Sequence, residues 1–177
     1  MKPFDHAFEQ TLRLEGGYSN DSVDRGGKTN WGITEATLKD AYIRGLVGTR
    51  DVSALNREEA RLIYKADYWD PLRLDSVLSP TIAAEIFDTA VNMGRQAAVK
   101  IVQESLNYLG ESLKVDGIMG IKTLGAINKW TSRDERALFV CLNGFQFRRY
   151  VEIVGNNAAQ QRFARGWTKR IQRYKEA

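Results

Sequence analysis

The chain has 177 residues, 43% hydrophobic and 27% charged, with three prolines and a single cysteine, Cys141. That length buries a real core as one domain or two small lobes, the composition excludes a disordered chain, and one cysteine excludes an internal disulfide framework. The net charge of +4 hides an asymmetry, because residues through Ala90 carry 11 basic and 15 acidic side chains while those from Val91 carry 15 and 7.

Met1-Lys2-Pro3-Phe4-Asp5-His6 turns charged too early for the apolar segment of a signal peptide, and no run approaches the ~20 apolar residues of a membrane span. Phe4, Ala7, Phe8, Leu12 and Leu14 follow helical spacing up to Gly16-Gly17, which predicts a first helix ending at Glu15. From Tyr18 to Thr34 the composition shifts to Asn, Asp, Ser and Gly with interspersed Val23, Trp31 and Ile33, the pattern of a short hairpin or irregular β loop. Thr34-Glu35 then opens a helix, and Asn56-Arg57-Glu58-Glu59 reads as a capping box for a second one running through Ile63, Tyr64 and Tyr68.

Ser79-Pro80 starts an almost wholly apolar helix that carries Ile82, Ala83, Ile86, Phe87 and Ala90 and stops at Gly94, the candidate for a central buried helix. Helix resumes from Ala97 to Leu109 and breaks at Gly110, and a compact turn over Val115-Asp116-Gly117-Ile118-Met119-Gly120 precedes a helix from Thr123 to Trp130. A long helical region from about Asp134 to Tyr174 is interrupted near Gly155-Asn156-Asn157. The expected fold is mainly α, a helical globule with one small β hairpin after the first helix.

Glu15 stands at a helix end among apolar residues, where the dipole and desolvation favour its protonated form, and Asp24 lies nine residues on in a polar Gly-rich loop that favours the ionised form. A protonated and an ionised carboxyl are what glycoside hydrolysis requires. Asp21 competes with Asp24 for the second role, and a mechanism with the glutamate alone is also open. The bland reading has Glu15 capping or ion-pairing and Asp24 in an Asx turn.

Tyr18, Trp31, Tyr64, Tyr68 and Trp69 could stack on sugar rings or pack in the core, with Tyr18 and Trp31 favoured because they lie on the hairpin. Asn92 could bind an acetamido group, pair with Glu15 or cap its own helix. His6 is the only histidine, which leaves no multi-histidine zinc site and argues against a Ser/His/Asp triad; Cys141 lacks a nearby base, and no phosphate loop is present. No metal and no cofactor is implied.

Glu15-Gly16-Gly17-Tyr18 followed by Asp24-Arg25-Gly26-Gly27-Lys28-Thr29-Asn30-Trp31-Gly32-Ile33-Thr34 resembles the amino-terminal motif of the glycoside hydrolase family 108 muramidases, a lysozyme-like group of phage lysis cassettes and bacterial secretion loci. The resemblance continues through Tyr68-Trp69-Asp70-Pro71 and Phe87-Asp88-Thr89-Ala90-Val91-Asn92-Met93-Gly94. Ala97-Ala98 through Leu106-Asn107 and the Val115 to Leu124 turn are similar to the peptidoglycan-binding domain that accompanies the family.

The resemblance implies a lysozyme-like catalytic region over residues 1–94 and a helical peptidoglycan-binding region over 95–177 packed against it. It also implies Glu15 as the catalytic glutamate, and a more distant likeness to phage lysozymes adds Asp24 and Thr29. The implied substrate is peptidoglycan glycan, cut at the β-1,4 bond from N-acetylmuramic acid to N-acetylglucosamine, with Tyr18, Trp31, Tyr68, Trp69 and Asn92 as substrate-binding candidates. The +8 second half then serves attraction to an anionic wall rather than to nucleic acid. Rival readings are a lytic transglycosylase, a non-catalytic wall-binding accessory of secretion, and a nucleic-acid binder. The expected protein is a monomer made in the bacterial cytoplasm and acting in the periplasm or at the cell wall, by a route other than a signal peptide.

Overall fold

Phe4, Ala7, Phe8 and Thr11 recur every three or four residues along α1 (Pro3–Glu15) and all are buried, as a one-sided apolar helix requires. They belong to a computed structural model that describes residues 2–15, 29–172 and 174, and of Leu14 and Glu15 the backbone. The chain divides into two compact units, Met1–Pro71 and Leu72–Ala177.

In the first unit α1 is followed by β1 (Thr29–Asn30), β2 (Ile33–Thr34), α2 (Glu35–Ile43), a 3₁₀ turn at Val52–Ala54, α3 (Arg57–Tyr64) and a π-helical turn at Lys65–Trp69. The strands form the expected antiparallel hairpin, Thr29 against Thr34 and Asn30 against Ile33. Thr34 caps α2 by accepting from the Thr37 N–H. Asn56 and Glu59 form the full capping box of α3, each side chain accepting from the other's backbone N–H at 2.9 and 3.2 Å.

Rings tie the helices together: Phe4 meets Trp69 edge-on at 5.2 Å and Phe8 lies 5.6 Å from Tyr64. Each such pair adds about 0.5–1.5 kcal/mol beyond the area it buries. Arg61 adds a fork from α3 to α1, with Nε and a terminal nitrogen donating to one Asp5 oxygen at 2.9 and 2.7 Å.

The second unit holds a 3₁₀ turn at Leu74–Ser76, α4 (Pro80–Met93), α5 (Arg95–Tyr108), α6 (Ile121–Asn156), a 3₁₀ turn at Ala158–Gln160 and α7 (Gln161–Thr168). Ser79 caps α4 by accepting from the Ile82 N–H, with Pro80 at the first helical position. Every residue from Ile82 to Ala90 is buried, so α4 is the central helix of this unit, packed on α5 and α6. Ile82, Ala83, Ala84, Ile86, Phe87 and Ala90 spread round the helix and leave it no polar solvent face over this stretch, which suits it to that place.

The turn between α5 and α6 is organised by Gln103, which is buried in α5. Its Nε2 donates to Asp116 Oδ1 at 2.9 Å and to the Ile118 carbonyl at 3.2 Å, while its Oε1 accepts from the Gly117 N–H at 2.9 Å. Gly117 has φ +77°, and a Cβ there would lie 2.6 Å from Gln96 Cγ and 3.0 Å from the Gln96 carbonyl oxygen. The Asp-Gly-x-x-Gly-x-x-Thr motif therefore has a structural explanation within the fold.

α6 is two helices in succession. Asp134 sits at φ −162°, ψ 83°, and its Oδ1 accepts from the Ala137 N–H at 2.9 Å, which makes it the cap of the second stretch. That matches the two separate helices expected before and after this point, and the later interruption falls at Asn157.

Candidate functional site

α1 is described as far as Glu15; the Glu15 side chain, the expected stop at Gly16-Gly17, Tyr18, Asp21 and Asp24 lie outside the described residues. What the fold describes next to this segment in the chain is the hairpin. Its loop is the pair Trp31 and Gly32, with φ of 54° and 75°. Positive φ at both central residues matches the twist of the flanking strands, but it is a costly conformation for a bulky side chain such as tryptophan.

Four hydrogen bonds, two made by Trp31 and two by its neighbour Asn30, hold the loop in that conformation. The Trp31 indole Nε1 donates to the Leu55 carbonyl at 3.2 Å, its own carbonyl accepts from Tyr64 Oη at 3.0 Å, and the neighbouring Asn30 Nδ2 donates to the carbonyls of Val52 and Leu55 at 3.0 and 3.2 Å. Tyr64 touches the Phe8 ring as well, so the loop is linked through α3 to the helix that carries Glu15. Thr29 and Trp31 are half-buried, which leaves part of each accessible from solvent. Backbone strain fixed by surrounding bonds is characteristic of functional sites.

Asn30 and Tyr64 were not legible as supports of the loop. Asn30 reads in sequence as one more polar turn residue, and its carbonyl partners are more than twenty positions away. Tyr64 was open in sequence to either a sugar contact or a core position; it is 1% exposed and serves the core.

The π-helical turn carries two neighbouring aromatics with different surroundings. Asp70 N–H reaches back to the Lys65 carbonyl at 2.9 Å, and Tyr68 is half-buried against Tyr64 with ring centroids 5.8 Å apart. Trp69 is 0% exposed. The expectation that Trp69 binds substrate is therefore corrected: a ring with no accessible face packs the core and cannot stack on a sugar. Tyr68 keeps an accessible part.

Asn92, near the end of α4, accepts from Tyr150 Oη through its Oδ1 at 2.9 Å. The Gly94 N–H goes instead to the Ala90 carbonyl, so Asn92 does not cap its own helix. One and two turns earlier on α4 lie Asp88 and Glu85, both buried. Asp88 Oδ1 accepts from Arg170 at 2.7 Å. Burial together with the charge of Asp88 pushes the Glu85 carboxyl up to about 8, with the nearby Asn143 side chain opposing the rise. Burial also raises the Tyr150 phenol. These charges on an apolar helix belong to the interior of the second unit, a role the apolar spacing of α4 does not disclose.

Residues 8–94 match the family described as Glycosyl hydrolase 108, and residues 97–172 match the Predicted Peptidoglycan domain. The solved structure of Brucella abortus SagA is 30% identical to the chain, with a TM-score of 0.74, over 95% of this chain and 88% of that one. No curated protein matches. Glu15, the strained hairpin and Tyr68 fall in the first matched region, and the Gln103-centred turn falls in the second.

Proposed function

The chain belongs to the glycosyl hydrolase 108 family, and on that premise we propose that it is an N-acetylmuramidase cutting the β-1,4 bond between N-acetylmuramic acid and N-acetylglucosamine. The two matched regions make it a peptidoglycan hydrolase. Glu15 acts as general acid and delivers its proton to the leaving glycosidic oxygen. The C-terminal end of a helix opposes a carboxylate charge, so the position of Glu15 in α1 suits a group that must hold a proton until the bond breaks.

Asp24 stabilises the oxocarbenium-like sugar or directs water, Asp21 being the competing choice, and Thr29 orients that water from β1. Trp31, Tyr18 and Tyr68 provide the sugar contacts. Catalysis falls to residues 1–94 and wall attachment to 95–177, and the protein works as a monomer in the periplasm or at the wall. The observation that carries this reading is the end of α1 at Glu15 in a matched region whose hairpin loop holds a strained Trp31.

The test is product analysis on purified peptidoglycan. A muramidase releases fragments with reducing N-acetylmuramic acid ends, and Glu15→Gln releases none while keeping the helical circular dichroism of the wild type. Anhydro ends would replace the reading with a lytic transglycosylase, and binding without any cleavage would replace it with a wall-binding accessory.

A further inference from the structure

A cleft of about 300 Å³ runs between α5 and α6, inside the second unit. Its floor is Ala97, Ile101 and the Phe145 ring. Its rim is ionic: Lys100 and Glu104 rise from α5, and Arg148, Arg149 and Glu152 from α6. This volume is at the small end of ligand clefts, about 300–1,000 Å³, so it suits a fragment rather than a long chain.

The rim charges are unevenly satisfied. Arg148 is shared between Glu104 and Glu152, and Arg149 donates to Glu152 at 3.0 Å. Lys100 is exposed and has no ion pair among the described residues. Three cations and two carboxylates leave one positive charge in surplus, next to two acidic groups that can receive an ammonium. A matching ligand carries carboxylates and an amine on a short backbone.

Sugar rings fit this cleft poorly. The Arg148 guanidinium lies 4.5 Å from the centroid of the Phe145 ring, and Tyr108 meets the same ring edge-on at 6.0 Å, so the aromatic floor lacks the open face that a sugar needs. Within peptidoglycan the component that carries carboxylates and amines is the peptide stem. Resting on the peptidoglycan reading above, we propose that the α5–α6 cleft is a subsite for the peptide stem, with Lys100 and Arg149 taking its carboxylates and Glu104 its amine. Residues 1–94 handle glycan, and this cleft reads whether the glycan still bears peptide.

The test compares the full-length wild type with Lys100→Glu/Arg149→Glu, and with Lys100→Arg as the conservative control, in pull-downs at low and moderate salt. The probes are purified sacculi and the same sacculi stripped of their stems by an amidase. Wild type should bind intact sacculi at least about tenfold more tightly than stripped glycan, as charge-assisted contacts would give. The double reversal should lose that preference, and Lys100→Arg should retain it. Equal binding of wild type to both probes, or an unchanged preference in a double-reversal variant of native circular dichroism, overturns the proposal. Release of reducing ends is scored on the same samples: cleavage without the stem preference removes the cleft alone, whereas the preference without cleavage removes the muramidase reading alone.

Discussion

Replacing Glu85 by Gln should flatten the pH dependence of stability in the second unit. The glutamate is 3% exposed in α4, with Asp88 and its partner Arg170 alongside and Tyr150 and Asn143 nearby. Burial and the Asp88 charge raise its carboxyl from 4.5 to about 8. Between these values the folded chain holds a proton that the unfolded chain has released, so folding takes up a proton and stability falls as pH rises.

The stabilisation is fully present below about pH 4.5 and lost as pH climbs through about 8. At ~1.4 kcal/mol per pH unit the whole window is worth on the order of 5 kcal/mol. Gln keeps the size and the hydrogen-bonding capacity but has nothing to ionise. Urea unfolding at about pH 5 and about pH 8, with hydrogen exchange of the α4 amides as the local readout, should show a wild-type loss of several kcal/mol that is absent in Glu85→Gln. The variant should be the more stable protein at the higher pH. Equal wild-type stability at both, or the same slope in the variant, would refute the reasoning.

Gly117→Ala should destabilise the second unit by about 1–3 kcal/mol in urea titration, since its Cβ would enter the space of Gln96 at a left-handed backbone position. Arg170→Ala takes the cation from a buried carboxylate, and a cost of about 3–5 kcal/mol is expected at neutral pH, measured as a lower urea midpoint. Tyr64→Phe removes the donor to the Trp31 carbonyl, which should cost about 1 kcal/mol of stability and also lower kcat on peptidoglycan. A kcat equal to that of the wild type would mean that the loop conformation of Trp31 does not matter to the chemistry.

Local signals were legible where they act over a few residues. Asn56 with Glu59 made a capping box, Ser79-Pro80 opened α4, and Asn157 stands where α6 breaks. Long-range partners were not legible. The burial of Trp69 beside a half-buried Tyr68 follows from its packing on Phe4 of α1, a partner far away in sequence that periodicity does not report. Glu85 and Asp88 sit among apolar positions of α4, and only their neighbours on other elements, Asn143 and Arg170, explain why they are tolerated. The Asp116-Gly117 turn was legible from its glycines, whereas the residue that clasps it, Gln103, lies thirteen and fourteen positions away and was not.

The supports of the Trp31 hairpin follow the same division. Turn chemistry is local, so the hairpin itself was expected from its glycines and polar residues. The bonds from Asn30 and Trp31 to Val52 and Leu55 join segments far apart in sequence, and no spacing rule reports them.

The most direct test of the account is mass spectrometry of the fragments released from purified peptidoglycan by wild type beside Glu15→Gln. Reducing N-acetylmuramic acid ends from the wild type, and none from a folded Glu15→Gln, are the predicted result. Undiminished release by Glu15→Gln would contradict the central claim.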